Sequence, residues 1–300
     1  MRLITAILAL VLIPSIVFAD IGSIKIKVKQ KNEHVHVKVI IKNPMHGQIE
    51  ENKRTYWGNE KREINFITNI TVKSNNNTLL HIETSPFMPE NPVFRFIIKK
   101  DFFGNEIIVS IKDNNNNTKD KFIKIKNRSN NNTKIAPMQN LLLSRVNHPK
   151  IWKATTPEEA IKEMYGDVEM IEDVIQLKIP KISEGSFSVP IMIKTDIDLE
   201  SIVILATNNP RSVISVIHIP TKGLRQLNTK IKFLSSIYIY KDKTAYDGYS
   251  FSREPTITIV GKGRNGKLYK TSKQTEFVSC INSGGGINNL DELYKVQMQD

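Results

Sequence analysis

Cysteine is almost absent from this chain. Cys280 is the only one in 300 residues, so no disulfide can close within the chain and a disulfide-stapled scaffold is excluded. Long apolar runs are scarce too. Residues 3–18 form the main one, but Pro14 interrupts it and it falls short of the ~20 residues a spanning helix needs. Acid is in deficit, with 30 Asp and Glu against 43 Lys and Arg, a net charge of +13. Paired zinc cysteines, phosphate-cradling glycine loops and a nucleophile elbow are missing. Gly261-Lys262-Gly263-Arg264-Asn265-Gly266 resembles a phosphate loop only in its glycines; between strand-like segments it reads as a hairpin turn. No catalytic apparatus emerges, and neither cofactor nor metal is expected.

The N-terminus has the layout of a secretory signal. Met1-Arg2 supplies a charge, an apolar core follows, and Val17-Phe18-Ala19 puts small residues where a signal peptidase reads, just before Asp20. Cleavage after residue 19 predicts a soluble protein outside the cytoplasm without a membrane contact. Export argues against a nucleic-acid partner despite the basic balance. Lysines such as Lys25, Lys27 and Lys29 alternate along a strand pattern, as on solvated faces and protected sheet edges. Attraction of small anions or acidic partner proteins is what remains for the charge to do.

Period-two alternation dominates the first half. Ile24, Ile26 and Val28 alternate with lysines, and Val35, Val37 and Val39 repeat the pattern before the turn at Asn43-Pro44. Further strands are predicted at 64–72, 79–83, 93–98, 107–111 and 122–125, with asparagine-rich hairpin loops at 73–77 and 113–117. This is the pattern of an antiparallel β-sandwich. Residues 129–133 are polar and low in complexity, the best candidate for a linker.

A helix is predicted over 156–166: Thr156 caps it, Pro157 starts it, Glu159 completes a capping box and Gly166 stops it. Strands then return at 174–179, 189–194, 201–206, 213–219, 229–239, 256–260, 267–271 and 275–279. The fold class is therefore mainly β, two antiparallel β-sandwiches, the second with an N-terminal helix, each with its own core. The divisions are a signal peptide (1–19), a first sandwich (20–128), a linker (129–150), a second sandwich (151–279) and an arm with a tail (280–300).

His34 and His36 share a strand face at a spacing that suits a metal, yet no third ligand is near, and exposed strand histidines are the simpler reading. Cys280 is followed by Gly284, Gly285 and Gly286. Such a thiol is a buried structural group, a dimerising thiol or a reactive group; the glycines would let an arm thread a narrow channel.

Two stretches resemble known families. Residues 24–126 are similar to SoxZ, through Ile40-Ile41-Lys42-Asn43-Pro44-Met45, the strand at 69–72, Glu90-Asn91-Pro92-Val93-Phe94-Arg95-Phe96 and Ile111-Lys112-Asp113-Asn114. Residues 155–286 resemble SoxY, through the helix at 156–166, Ile179-Pro180, Ser183-Glu184-Gly185, Ser188-Val189-Pro190, Asn208-Asn209-Pro210 and the late cysteine. The resemblance implies two immunoglobulin-like antiparallel sandwiches that pack on each other, forming a periplasmic carrier without catalysis of its own. It would hold thiosulfate-derived sulfur covalently on Cys280, with Gly284, Gly285 and Gly286 in the arm. Partners would be periplasmic Sox enzymes: a cytochrome, a sulfate-releasing hydrolase and a sulfur dehydrogenase. Two departures stand out: Phe277-Val278-Ser279 and Ile281-Asn282-Ser283 replace the glycines that flank the family's cysteine, and the chain continues to Asp300. Fused SoxYZ-like carriers associated with quinoprotein dehydrogenases, or a non-covalent binding or assembly module of that setting, are the alternative.

Overall fold

The computed structural model describes residues 21–45, 64–75, 77–125, 143–183, 188–233 and 254–277. The first half supplies β1 (Ser23–Lys31), β2 (His34–Lys42), β3 (Ile67–Ser74), β4 (Asn77–Thr84), β5 (Val93–Lys99), β6 (Glu106–Asp113) and β7 (Thr118–Lys124). Two helices follow, α1 (Pro149–Lys153) and α2 (Pro157–Tyr165). The second half adds β8 (Ile171–Glu172), β9 (Gln176–Lys178), β10 (Ile182–Ser183), β11 (Val189–Lys194), β12 (Leu199–Ala206) and β13 (Val213–His218). It closes with β14 (Leu224–Ile231), β15 (Thr256–Gly263), β16 (Leu268–Gln274) and β17 (Glu276–Phe277).

Local chemistry accounts for the turns. Asn75 adopts φ 46° in the β3–β4 hairpin, a left-handed conformation that asparagine tolerates. The Asp113 carboxylate closes the β6–β7 hairpin by accepting from the backbone N–H of Asn115 and Asn117 at 2.9 and 2.8 Å. The glycine-rich 261–266 stretch joins β15 to β16, with the Gly263 N–H on the Lys267 carbonyl and Gly266 at φ 78°. At α2, the Thr156 hydroxyl accepts from the Glu159 N–H at 3.1 Å. Glu159 reaches one residue further back than the usual box, accepting from the Thr155 N–H at 2.7 Å.

Each half is a two-layered sandwich, and the layers continue from one half into the other. One sheet runs β1-β2-β5-β14-β11-β9; the facing one runs β7-β6-β3-β4-β13-β12-β15-β16-β8. Both halves follow the same winding: β1, β2 and β5 in one layer correspond to β9, β11 and β14, and β3, β4, β6 and β7 in the other to β12, β13, β15 and β16. Corresponding strands meet at the centre. β4 pairs antiparallel with β13, Ile82 opposite Ile217 and His81 opposite His218, and β5 pairs antiparallel with β14, Phe96 opposite Leu227. The halves are thus related by an internal approximate two-fold, the arrangement of an isologous dimer within one chain.

The sequence pattern placed a core in each half; the structure joins them. One apolar cluster extends from Val35, Ile82 and Phe96 in the first half to Ile191, Ile217 and Ile259 in the second. A smaller one lies beneath the helices, where Ile151, Trp152 and Ala160 pack on Val203, Leu205, Val216 and Val260. Two boundaries are corrected. Helix α1 lies partly in the stretch read as linker. The strand expected at 229–239 begins at Leu224 instead: Gln226 and Asn228 face outward, while Leu224 and Leu227 enter the core across a register shift. Its expected end at 234–239, the 1–19 segment and the polar run at 129–133 lie outside the described residues.

Candidate functional site

Cys280, Gly284, Gly285 and Gly286 lie outside the described residues, but the segment that leads to them does not. After β16 the chain turns at Thr275, whose N–H donates to the Pro255 carbonyl at 3.2 Å. It then lies parallel to β10, with the Glu276 N–H on the Lys181 carbonyl at 2.8 Å. Phe277 meets the fully buried Phe233 edge to face, ring centroids 5.2 Å apart. The arm is therefore rooted by backbone bonds and an aromatic contact, and only Val278 and Ser279 separate Phe277 from Cys280, a span of at most about 10 Å of chain.

Beside that root lies Lys232, immediately before Phe233 and 3% exposed. Its Nζ donates to the Met45 carbonyl at 3.2 Å, so an amine of the second half satisfies the Asn43-Pro44-Met45 turn of the first. Asn43 holds that turn, donating to Asn65 Oδ1 at 2.7 Å and accepting from the Met45 N–H at 2.8 Å. Burial pushes the Lys232 ammonium down to about 8, against a weaker opposing pull from Glu90.

A second polar cluster straddles the join between the halves on the outer surface of the nine-stranded sheet. His81 Nδ1 lies 2.9 Å from Thr71 Oγ1, and its Nε2 lies 3.9 Å from the Glu83 carboxylate. Glu83, 3% exposed, accepts from the Arg145 N–H at 2.9 Å. Arg145 donates to the Thr84 carbonyl and lies over the Trp152 ring, 4.2 Å from its centroid. His218 faces His81 with ring centroids 6.1 Å apart, and its Nε2 is buried without a hydrogen-bond partner among the described residues. Burial and then His81 push its pKa down to about 4, against Glu83 and Glu200. The seam thus brings two histidines and a buried acid together where the two halves join. Nothing in the sequence pattern pairs His81 with His218.

His34 and His36 sit side by side on β2, opposite Lys31 and Lys29 across the sheet. Burial lowers the His36 pKa, with Lys31, His34 and Lys29 adding to it. Among the described residues no group of three or more His, Cys, Asp or Glu is arranged to hold a metal.

Comparison with known proteins adds the family context. The family model described as Sulphur oxidation protein SoxZ matches residues 24–124, and that of Sulfur oxidation protein SoxY matches residues 161–263. Among solved structures, the chain is similar to the sulfur carrier protein SoxY from Chlorobium limicola f thiosulfatophilum at 17% identity, over 41% of this chain and 96% of that one, with a TM-score of 0.31. A tetra-tandem repeat in the extending region of a large adhesion protein matches at 8% identity, over 85% of this chain and 49% of that one, TM-score 0.23. Red sea bream transglutaminase matches at 6% identity, over 85% and 31%, TM-score 0.24. No curated protein matches the chain. The family assignment rests on the two matched models.

Proposed function

This chain is a fused SoxZ–SoxY protein of the Sox sulfur-carrier families, and from that premise we propose that it is exported to the periplasm, where Cys280 holds sulfur intermediates covalently. The observation that carries the reading is the order SoxZ, SoxY, sole cysteine in a single chain. The chemistry is then a thiol's. Thiosulfate joins the Cys280 sulfur as the S–H proton leaves and two electrons pass to an oxidising cytochrome partner, giving a cysteine S-thiosulfonate. Water then attacks the terminal sulfonate sulfur on a hydrolase, releasing sulfate and two protons and leaving a persulfide on the cysteine. The carrier supplies the sulfur atom and a rooted arm, and the partners supply catalysis.

Fusion has a physical advantage here. Two subunits that meet by diffusion fall apart on dilution, whereas linked halves keep a high effective concentration of each for the other. We take the two halves as one working body, with Lys232 and Met45 tying the base of the arm to the SoxZ-like half.

The test is the intact mass of the protein from its native compartment, with and without reductant. A reductant-labile sulfur or thiosulfonate adduct mapping to Cys280 is expected, on a chain that begins at Asp20. Cys280→Ala is expected to abolish adduct formation and thiosulfate-dependent activity while leaving the melting temperature unchanged. An unmodified thiol during active sulfur oxidation would overturn the carrier reading and favour the non-covalent module, to which the bulky residues flanking Cys280 already lean.

A further inference from the structure

Among the described residues, the six-stranded sheet buries one face and leaves the other uncovered. Its strands carry twelve Lys and Arg and not one Asp or Glu. Register arranges the open face in rows. Lys27, Lys38 and Arg95 stand directly opposite one another on β1, β2 and β5, and the row continues through Asn228 and Met192 to Lys178 on β9. With about 4.8 Å between strands, that row is some 24 Å long. Like charges directly opposed across a ladder repel. Accordingly the Lys38 ammonium is held below its ordinary value, by lost solvation and then by Arg95, Lys27 and Lys25.

Edge protection explains part of this charge and leaves the rest. Lysines on β1 and β9 guard the two ends of the sheet, as basic residues do elsewhere. Lys38, Arg95 and Lys230 lie on β2, β5 and β14, interior strands with no edge to guard. A face needed only for solubility would intersperse acids, and this one has none.

We propose that the open face of the six-stranded sheet is a docking surface for an acidic face of a partner protein. Its charge is of one sign, which speeds and orients encounter with the opposite sign. Its extent, roughly 600 Å² in projection from strand spacing and rise, approaches the ~800 Å² per partner of a standard interface. Its middle holds Arg95 and Met192, residue types enriched at interface centres, with lysines around them. Two grooves open between the rows, of about 490 and 390 Å³, and share Arg95 and Asn228. The apolar floor of the larger, at Val93, Pro190 and Met192, suits side chains of a folded partner better than a phosphate backbone. The surface stands whether or not Cys280 carries sulfur, so either reading can fail alone.

The test is fluorescence anisotropy of the full chain with three probes: a labelled peptide of alternating Glu and Leu, a labelled single-stranded oligodeoxynucleotide, and phosphatidylglycerol vesicles. The peptide is expected to bind best and to weaken steeply with added salt. Lys38→Glu with Arg95→Glu should cost at least tenfold in peptide affinity. Lys150→Glu with Lys153→Glu on α1, the same change in net charge on the opposite surface, should cost less than twofold. Lys38→Gln with Arg95→Gln repeats the test with a smaller perturbation should the charge reversal fail to fold. The proposal is overturned if the peptide does not bind, if both sites lose affinity equally, or if oligonucleotide or vesicles bind as tightly.

Discussion

The two outer surfaces of this sandwich have opposite fates. On the nine-stranded sheet, Val203, Leu205, Val213, Val216 and Val260 are outward-facing yet buried, because Ile151, Trp152 and Ala160 of the helical layer cover them. On the six-stranded sheet the equivalent positions are Lys38, Arg95, Asn228 and Lys230, and nothing in the chain's described residues lies over them. Among the described residues, a sheet face is thus apolar where helices cover it and basic where nothing does. The excess of positive charge, read from composition as a diffuse property, is in large part local to one face.

Uncovering the covered face should have the largest effect. Trp152 packs over the second-half strands, donates its indole N–H to the Leu143 carbonyl at 3.2 Å and carries the Arg145 guanidinium on its ring. Trp152→Ala should destabilise by about 3–5 kcal/mol, as truncation of a buried aromatic does. The check is the urea midpoint at unchanged slope. A loss below about 1 kcal/mol would mean that the helical layer is not what makes the two faces differ.

Acid tests the same face through its seam. His218 is neutral in the fold, its pKa pushed from 6.5 down to about 4, so the folded state binds its proton later than the unfolded chain does. Stability is therefore full above pH 6.5, falls as pH drops through the window from 6.5 to 4, and levels off below. The loss attributable to this group is at most about 3 kcal/mol. His218→Gln should flatten that segment of the stability profile, measured by urea denaturation at closely spaced pH values. An unchanged profile would show that the imidazole is solvated and the seam open.

Much of this was legible in the chain. The alternating β1, β2, β5 and β11 announce one buried and one open face, and residue pattern alone marks them as strands. Continuous apolar runs such as Ser201–Ala206 in β12 and Val213–His218 in β13 carried a further signal, since strands buried on both faces lose their alternation. That signal implies a covering layer, and α1 was missed because five residues around Pro149 give too short a period to read. The joining of β4 to β13 and β5 to β14 was not legible, because pairing between distant strands is set by edge matching and not by local pattern. His81 and His218 become neighbours only through that pairing. Cys280 shows the reverse: sequence singled it out at once, and the structure contributes the root of its arm.

The smallest effect sharpens the comparison most, because one substitution is expected to have opposite signs on the two faces. Asn228 lies in the basic row between Arg95 and Met192, with its Oδ1 accepting from Gln226 Nε2 at 2.7 Å. Asn228→Asp keeps that acceptor and adds the first carboxylate to a field of cations. It should stabilise by a few tenths to about 1 kcal/mol at low ionic strength, and the gain should vanish at ~1 M salt, where screening reaches only about 3 Å. Asn69 occupies an outward position on the nine-stranded sheet, directly opposite Glu83 across the β3–β4 ladder. There Asn69→Asp sets two carboxylates directly opposite each other, and like charges so opposed destabilise. Paired thermal melts of the two variants measure the difference directly. If both shift the same way, the contrast between the faces lies in their burial alone, and the one-signed charge of the open face is incidental to the fold.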